Sequence, residues 1–118
     1  MITTSYFARE KDIANPVCIA QVKPAWSKSR EYKKLAPPWA LVDRYKRGLV
    51  TPQQYTQEFT FVVLSLLNPV EVMNEIISLF GEDATLLCYE KAGDFCHRRI
   101  VAAWLEKGTG VAVPELKF

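Results

Sequence analysis

Apolar and polar positions divide the chain into short segments with firm punctuation. Residues 2–7 and 16–22 are rich in β-branched and aromatic side chains, with Ala14-Asn15-Pro16 breaking the chain between them, and read as two strands. From 23 to 38 the prolines Pro24, Pro37 and Pro38 and the serines Ser27 and Ser29 leave no clean period, so a long loop with at most a turn of helix is expected. Leu41, Val42 and Tyr45 then fall at helical spacing within 39–47, and Gly48 supplies a stop. Thr51-Pro52 with Gln54 reads as a capping box opening a helix whose stripe is Tyr55, Phe59, Val62, Val63 and Leu66. Asn68-Pro69 repeats the start, and Val70, Met73, Ile76, Ile77 and Phe80 form the next stripe before Gly81.

Residues 84–89 are a short apolar run, the signature of a strand buried on both faces. After a turn at 91–93, residues 94–107 place Ile100, Val101, Trp104 and Leu105 on one helical face, with Asp94 as N-cap and Gly108 as stop; 111–113 reads as a last short strand. The predicted order is β-β-α-α-α-β-α. It specifies one α/β domain over 1–118, a small and mostly parallel sheet flanked by helices.

In open α/β sheets ligands gather where a strand ends and the next helix begins. The junction at 84–107 is the chemically rich one. Cys88 and Glu90 point to one face of the strand, and Cys96 and His97 fall in the expected first turn of the helix, facing inward. A thiol beside an imidazole at a helix N-terminus is a setting for a reactive thiolate. Arg98 and Arg99 oppose the helix dipole there, which makes sense if an anion binds nearby. The expected roles are Cys96, His97 and Cys88 as nucleophile or redox thiol and acid–base, and Arg98, Glu90 and Arg99 as ligand contacts. Taken singly, each has a plainer account: a small buried hydrophobe for either cysteine, a satisfied core histidine, surface ion pairs for the arginines. Cys18, in the second strand without polar company, reads as core.

Leu86-Leu87-Cys88-Tyr89-Glu90 followed by Cys96-His97-Arg98 resembles the bacterial, archaeal and phage family called domain of unknown function 488, whose strand ends in Cys-x-Glu and whose next helix opens on Cys-His-Arg. Leu35-Ala36-Pro37-Pro38, Tyr45-Lys46-Arg47-Gly48 and Tyr55 extend the similarity upstream. The family's Thr-Ile-Gly-His-Ser-like first strand and its Asp-Val-Arg segment have no counterpart in residues 2–7 and 16–20, so the chain resembles a shorter subgroup. The resemblance implies a fold and a site and carries no reaction with it.

Composition changes the picture in two places. The total charge of +2 conceals a segment, 23–47, with eight basic and two acidic residues, which carries +6 and leaves −4 elsewhere. Its cations interleave with aromatics, and Lys33, Lys34, Arg44, Lys46, Trp26 and Trp39 make an alternative nucleic-acid surface. Three cysteines, an odd number, suit free thiols in a reducing, cytoplasmic setting rather than a bridged secreted domain. No run approaches the roughly 20 apolar residues of a membrane span, and residues 1–5 lack the pattern of a signal peptide.

Spacing weighs against several chemistries. A phosphatase or rhodanese loop needs Arg six residues after Cys, where this chain has Asp94 and Ala102; Walker and Rossmann glycine patterns are missing too. Zinc would have Cys88, Cys96 and His97, with Glu90 or Asp94 fourth, but neighbours in one helical turn rarely reach the same ion. A Cys88–Cys96 disulfide is geometrically possible but would need an oxidising setting or a redox role. The expected partner is an anionic small molecule of phosphate or nucleotide type, or nucleic acid in the alternative. No cofactor, metal or membrane is called for.

Overall fold

The computed structural model describes all residues, 1–118. Four strands, β1 (Thr3–Tyr6), β2 (Pro16–Cys18), β3 (Arg30–Glu31) and β4 (Thr85–Cys88), form one all-parallel sheet in the order β1-β4-β2-β3. Every residue of β4 is buried, as its unbroken apolar run requires of a strand with neighbours on both sides. Leu86 pairs with Thr4 of β1 and with Val17 of β2. The helices are α1 (Trp39–Lys46), α2 (Pro52–Val62), α3 (Pro69–Phe80) and α4 (His97–Thr109), with short 3₁₀ turns at Phe7–Asp12, Lys33–Leu35 and Leu64–Leu66.

The two faces of the sheet are unequal. Val17, Ile19 and Leu86 meet Leu41, Phe59, Ile76, Val101 and Leu105 in the main core, so all four α-helices lie on one side. The other face holds Phe7, Ile13, Cys18, Ala20 and Leu87, covered by the first 3₁₀ turn and by Leu116. Cys18 is fully buried there, as its apolar surroundings in the sequence suggest.

The caps form as expected. Thr51 Oγ1 accepts from Gln54 N (3.1 Å), Gln54 Oε1 accepts from Thr51 N (2.9 Å), and Asn68 Oδ1 accepts from Val70 N and Glu71 N. Several boundaries move. The stripe drawn through Val62 and Leu66 is broken because α2 stops at Val62 and the chain tightens into a 3₁₀ turn; Leu64 turns inward, and Leu66 is 80% exposed. In α3 the buried face is Val72, Met73 and Ile76, with Val70 and Ile77 outward. The loop before α1 contains β3, two residues long and too short to show a period. Helix α4 runs through Gly108 and ends at Gly110, whose φ of 74° is left-handed. No last strand forms at 111–113; instead Thr4 bridges Glu115 and covers the free edge of β1.

No single helix is long and apolar enough to cross a membrane; α2 and α3 together reach the length but are bent by 76°.

Candidate functional site

At the C-terminal ends of β2 and β4 lies a cavity of about 550 Å³, within the usual size of small-molecule sites. Ala20, Gln21 and Val22 follow β2 into its wall; Cys88, Tyr89 and Glu90 enter from β4; Phe95, Cys96 and His97 come from the start of α4. Pro37 and, from α1, Trp39, Val42, Tyr45 and Lys46 supply the opposite wall, with Tyr55 of α2. The two regions singled out in the sequence, the Cys/His junction and part of the basic aromatic segment, therefore share one cavity.

Tyr45, Tyr55 and Phe95 form a triangle of rings with centroids 5.3–5.4 Å apart, the spacing of favourable aromatic pairs. Lys46 Nζ lies 5.7 Å from the Trp39 ring centroid, so a cation and an aromatic face stand together on an exposed part of the wall.

Helix α4 begins later than its sequence suggests. Asp94 does not cap it; Cys96 is the N-cap, in extended backbone (φ −152°, ψ 144°), and His97 is the first helical residue. This extended cap removes the geometric objection to Cys96 and His97 acting together, because they no longer radiate from one helical turn. Cys88 and Cys96 are joined as a disulfide, where the odd cysteine count suggests free thiols; Cys18 alone is free, and both bonded sulfurs lie within 4.8 Å of a His97 ring nitrogen. Neither the Glu90 nor the Asp94 carboxylate joins them.

His97 is buried, with the Phe59 ring edge-on at 5.6 Å. Its Nε2 is 2.8 Å from the Ile19 carbonyl. A carbonyl only accepts, so Nε2 carries the proton and Nδ1 the lone pair. Burial, with the nearby Arg98 charge, pushes its pKa down to about 4 despite the Ile19 bond. His97 is therefore neutral at pH 7, and the cation beside the disulfide is Arg98, whose Nη1 donates to Cys88 Sγ at 3.3 Å. The Ile19 carbonyl, not a carboxylate, orients the ring.

The arginines require the largest correction. Arg98 is 1% exposed, and its guanidinium is spent inside the protein. Nε and Nη2 donate to the Glu115 carboxylate (3.0 and 2.7 Å), and Nη1 also donates to the Glu90 carbonyl at 2.6 Å. Arg99 Nη1 donates to Thr4 Oγ1 and to the Val113 carbonyl. Both side chains hold the C-terminal tail against β1, which leaves neither to face a ligand in the cavity. Burial raises the Glu115 pKa, but bonds from Arg98 and Thr4 outweigh it and the net shift is downward.

The basic segment disperses as well. Lys33 pairs with Glu31 of β3, Lys34 with Glu75 of α3 and Arg44 with Glu58 of α2. Trp26 is exposed and lies outside the cavity. Only Lys46 and Trp39 of the six expected nucleic-acid contacts line it.

Sequence reasoning missed Phe95 and Gln21 on the cavity wall and Glu115 as the partner of Arg98. Phe95 stands in an irregular loop without a period to mark it. Glu115 is 17 residues from Arg98, beyond any local spacing rule.

A family model described as the active DUF488-N3 subclade matches residues 16–109, most of the chain and all of the cavity wall. Comparison with curated proteins and with solved structures found no match.

Proposed function

From the premise that the chain belongs to the DUF488-N3 subclade, with the Cys-x-Glu and Cys-His-Arg residues of the motif gathered at one strand–helix junction, we propose that it binds an anionic, nucleotide-like small molecule in the 550 Å³ cavity. The observation that carries this is the cavity's composition. One wall offers the Trp39 face and the Tyr45–Tyr55–Phe95 rings to a flat aromatic group, and Lys46 beside Trp39 offers a charge to a phosphate. The Cys88–Cys96 disulfide and the neutral imidazole are the reactive end of the site, where a bound molecule would be acted upon. The anion is assigned to Lys46, because Arg98 and Arg99 are committed to the tail.

Calorimetric titration with a nucleoside monophosphate, the matching nucleoside and inorganic phosphate tests it. The monophosphate should bind, with the nucleoside and phosphate each weaker by about tenfold, the loss of one charge-assisted or stacking contact. Lys46→Ala should weaken the monophosphate by roughly fivefold to tenfold and leave the nucleoside unaffected. If no monophosphate, purine or pyrimidine, produces heat or shifts the melting temperature, the proposal is wrong.

A further inference from the structure

Independently of which ligand fills the cavity, we infer that the Cys88–Cys96 disulfide is a redox centre that exchanges reversibly with low-molecular-weight thiols. Its position is the first reason. The bond joins the end of β4 to the N-cap of α4, and both cysteines line the cavity. A small thiol therefore has a route to the sulfurs. The surroundings of each sulfur are the second reason. Arg98 Nη1 donates to Cys88 Sγ at 3.3 Å. A bonded sulfur is a weak acceptor, whereas a thiolate in that place gains a charge-assisted hydrogen bond from a buried guanidinium. Cys96 is the N-cap of a 13-residue helix, yet its side chain makes no capping hydrogen bond. Once released as a thiolate, it meets the positive end of the helix dipole and the first-turn N–H groups. Stabilising both thiolates favours the reduced pair, which makes the disulfide an oxidant. Residues 89–96 belong to no helix or strand, so this loop can follow the sulfurs as they part.

The exchange balances in two steps. A small-molecule thiolate attacks Sγ of Cys96, the less deeply buried cysteine of the pair (7% exposed against 2%). The Cys88–Cys96 bond breaks, a mixed disulfide forms on Cys96, and the electron pair leaves on Cys88 Sγ beside Arg98. A second thiolate attacks the small-molecule sulfur of the mixed disulfide. That step forms a small-molecule disulfide and releases Cys96. Two thiols are oxidised, the protein disulfide takes up their two electrons, and their protons pass to solvent or to the released cysteines. A low-molecular-weight disulfide runs both steps backwards and restores the bond. Cys18 takes no part, because it is fully buried and does not line the cavity.

After treatment with oxidised glutathione, the full chain should have an intact mass two hydrogens below that of the reduced chain. Its one free thiol, exposed by unfolding, should be Cys18. Reduced glutathione should then open the bond in native protein, followed by acid quenching and mass spectrometry. The rate should be about tenfold higher than in the same chain unfolded in urea, where neither Arg98 nor α4 holds the released thiolates. Peptide maps should place the first glutathione adduct on Cys96. In the reduced native chain, alkylation by iodoacetamide should show a thiolate titrating at least about one pH unit below the ordinary value of about 8.5. Cys18→Ala should change none of these results. Reduction that is faster in urea than in native protein makes the bond a structural brace and overturns the inference. So does a chain that oxidised glutathione leaves with all three thiols free. An adduct on Cys88 overturns the order of attack, and an ordinary titration overturns the stabilised thiolate. The deciding measurements use the wild-type chain, so no folding defect bears on them. Failure of nucleotide binding leaves the exchange standing, and failure of the exchange leaves nucleotide binding standing.

Discussion

A guanidinium with almost no exposed surface, donating to a carboxylate, a carbonyl and a sulfur, is an anchor between distant parts of a chain. Arg98 joins α4 to Glu115 in the tail, to the Glu90 backbone and to Cys88. Its planar fork matches the Glu115 carboxylate in a way that a lysine ammonium cannot. Arg98→Lys should therefore cost about 3 kcal/mol, the lower range for breaking a buried pair, because Glu115 and the Glu90 carbonyl lose donors together. Denaturant unfolding measures this. Arg98→Met combined with Glu115→Gln should recover part of the loss, since no unpaired charge then remains; equal losses in the single and double variants would mean that the pair contributes nothing specific. At this scale the sequence was legible by residue type and illegible by role. Cys-His-Arg announces a special place, but which arginine faces a ligand depends on Glu115, whose approach is set by the tail's path along β1.

Elements were legible wherever a local rule decides them. The caps at Thr51 and Asn68 need only neighbouring residues, and both formed. Boundaries failed where tertiary contact decides. Gly108 looks like a helix stop in the sequence yet sits inside α4, and the packing explains it. A Cβ there would lie 2.6 Å from Pro69 Cβ, so the missing side chain lets α4 approach the first turn of α3. Gly108→Ala should gain about 1 kcal/mol from helix propensity and lose more, roughly 1–3 kcal/mol, from the clash with a rigid ring. Net destabilisation in thermal or denaturant unfolding is the expected outcome. A stabilised variant would show that α3 and α4 can separate freely, and that the close approach does not matter. The later start of α4 has the same character: Asp94 has a capping side chain, but the chain reaches helical geometry only at His97, after Phe95 has turned into the cavity wall.

For the whole molecule, the question is which surface meets an anion. The sequence offers a basic segment with eight cations, and a flexible strand of that kind would contact many phosphates at once. Folding divides those cations. Lys33 and Arg47 meet nearby carboxylates, Glu31 and Asp43, Lys34 and Arg44 meet Glu75 and Glu58 of later helices, and Lys46 goes to the cavity. Exposed pairs of this kind are weak, so what distinguishes Lys46 is its place: it is the one cation of the segment that lines the cavity. Single-stranded oligonucleotide binding, measured between low and moderate salt, should therefore show a log–log slope no steeper than about −1.4, as expected for two phosphate contacts at roughly 0.7 each, where eight would give about −5.6. A shallow slope that Lys46→Ala flattens further, while Lys33→Ala/Lys34→Ala leaves it unchanged, fits a ligand held at one cavity. A steep slope abolished by Lys33→Ala/Lys34→Ala would return the function to the basic surface. The nucleotide-like reading would then fail at its cation even if its aromatic wall still bound a base.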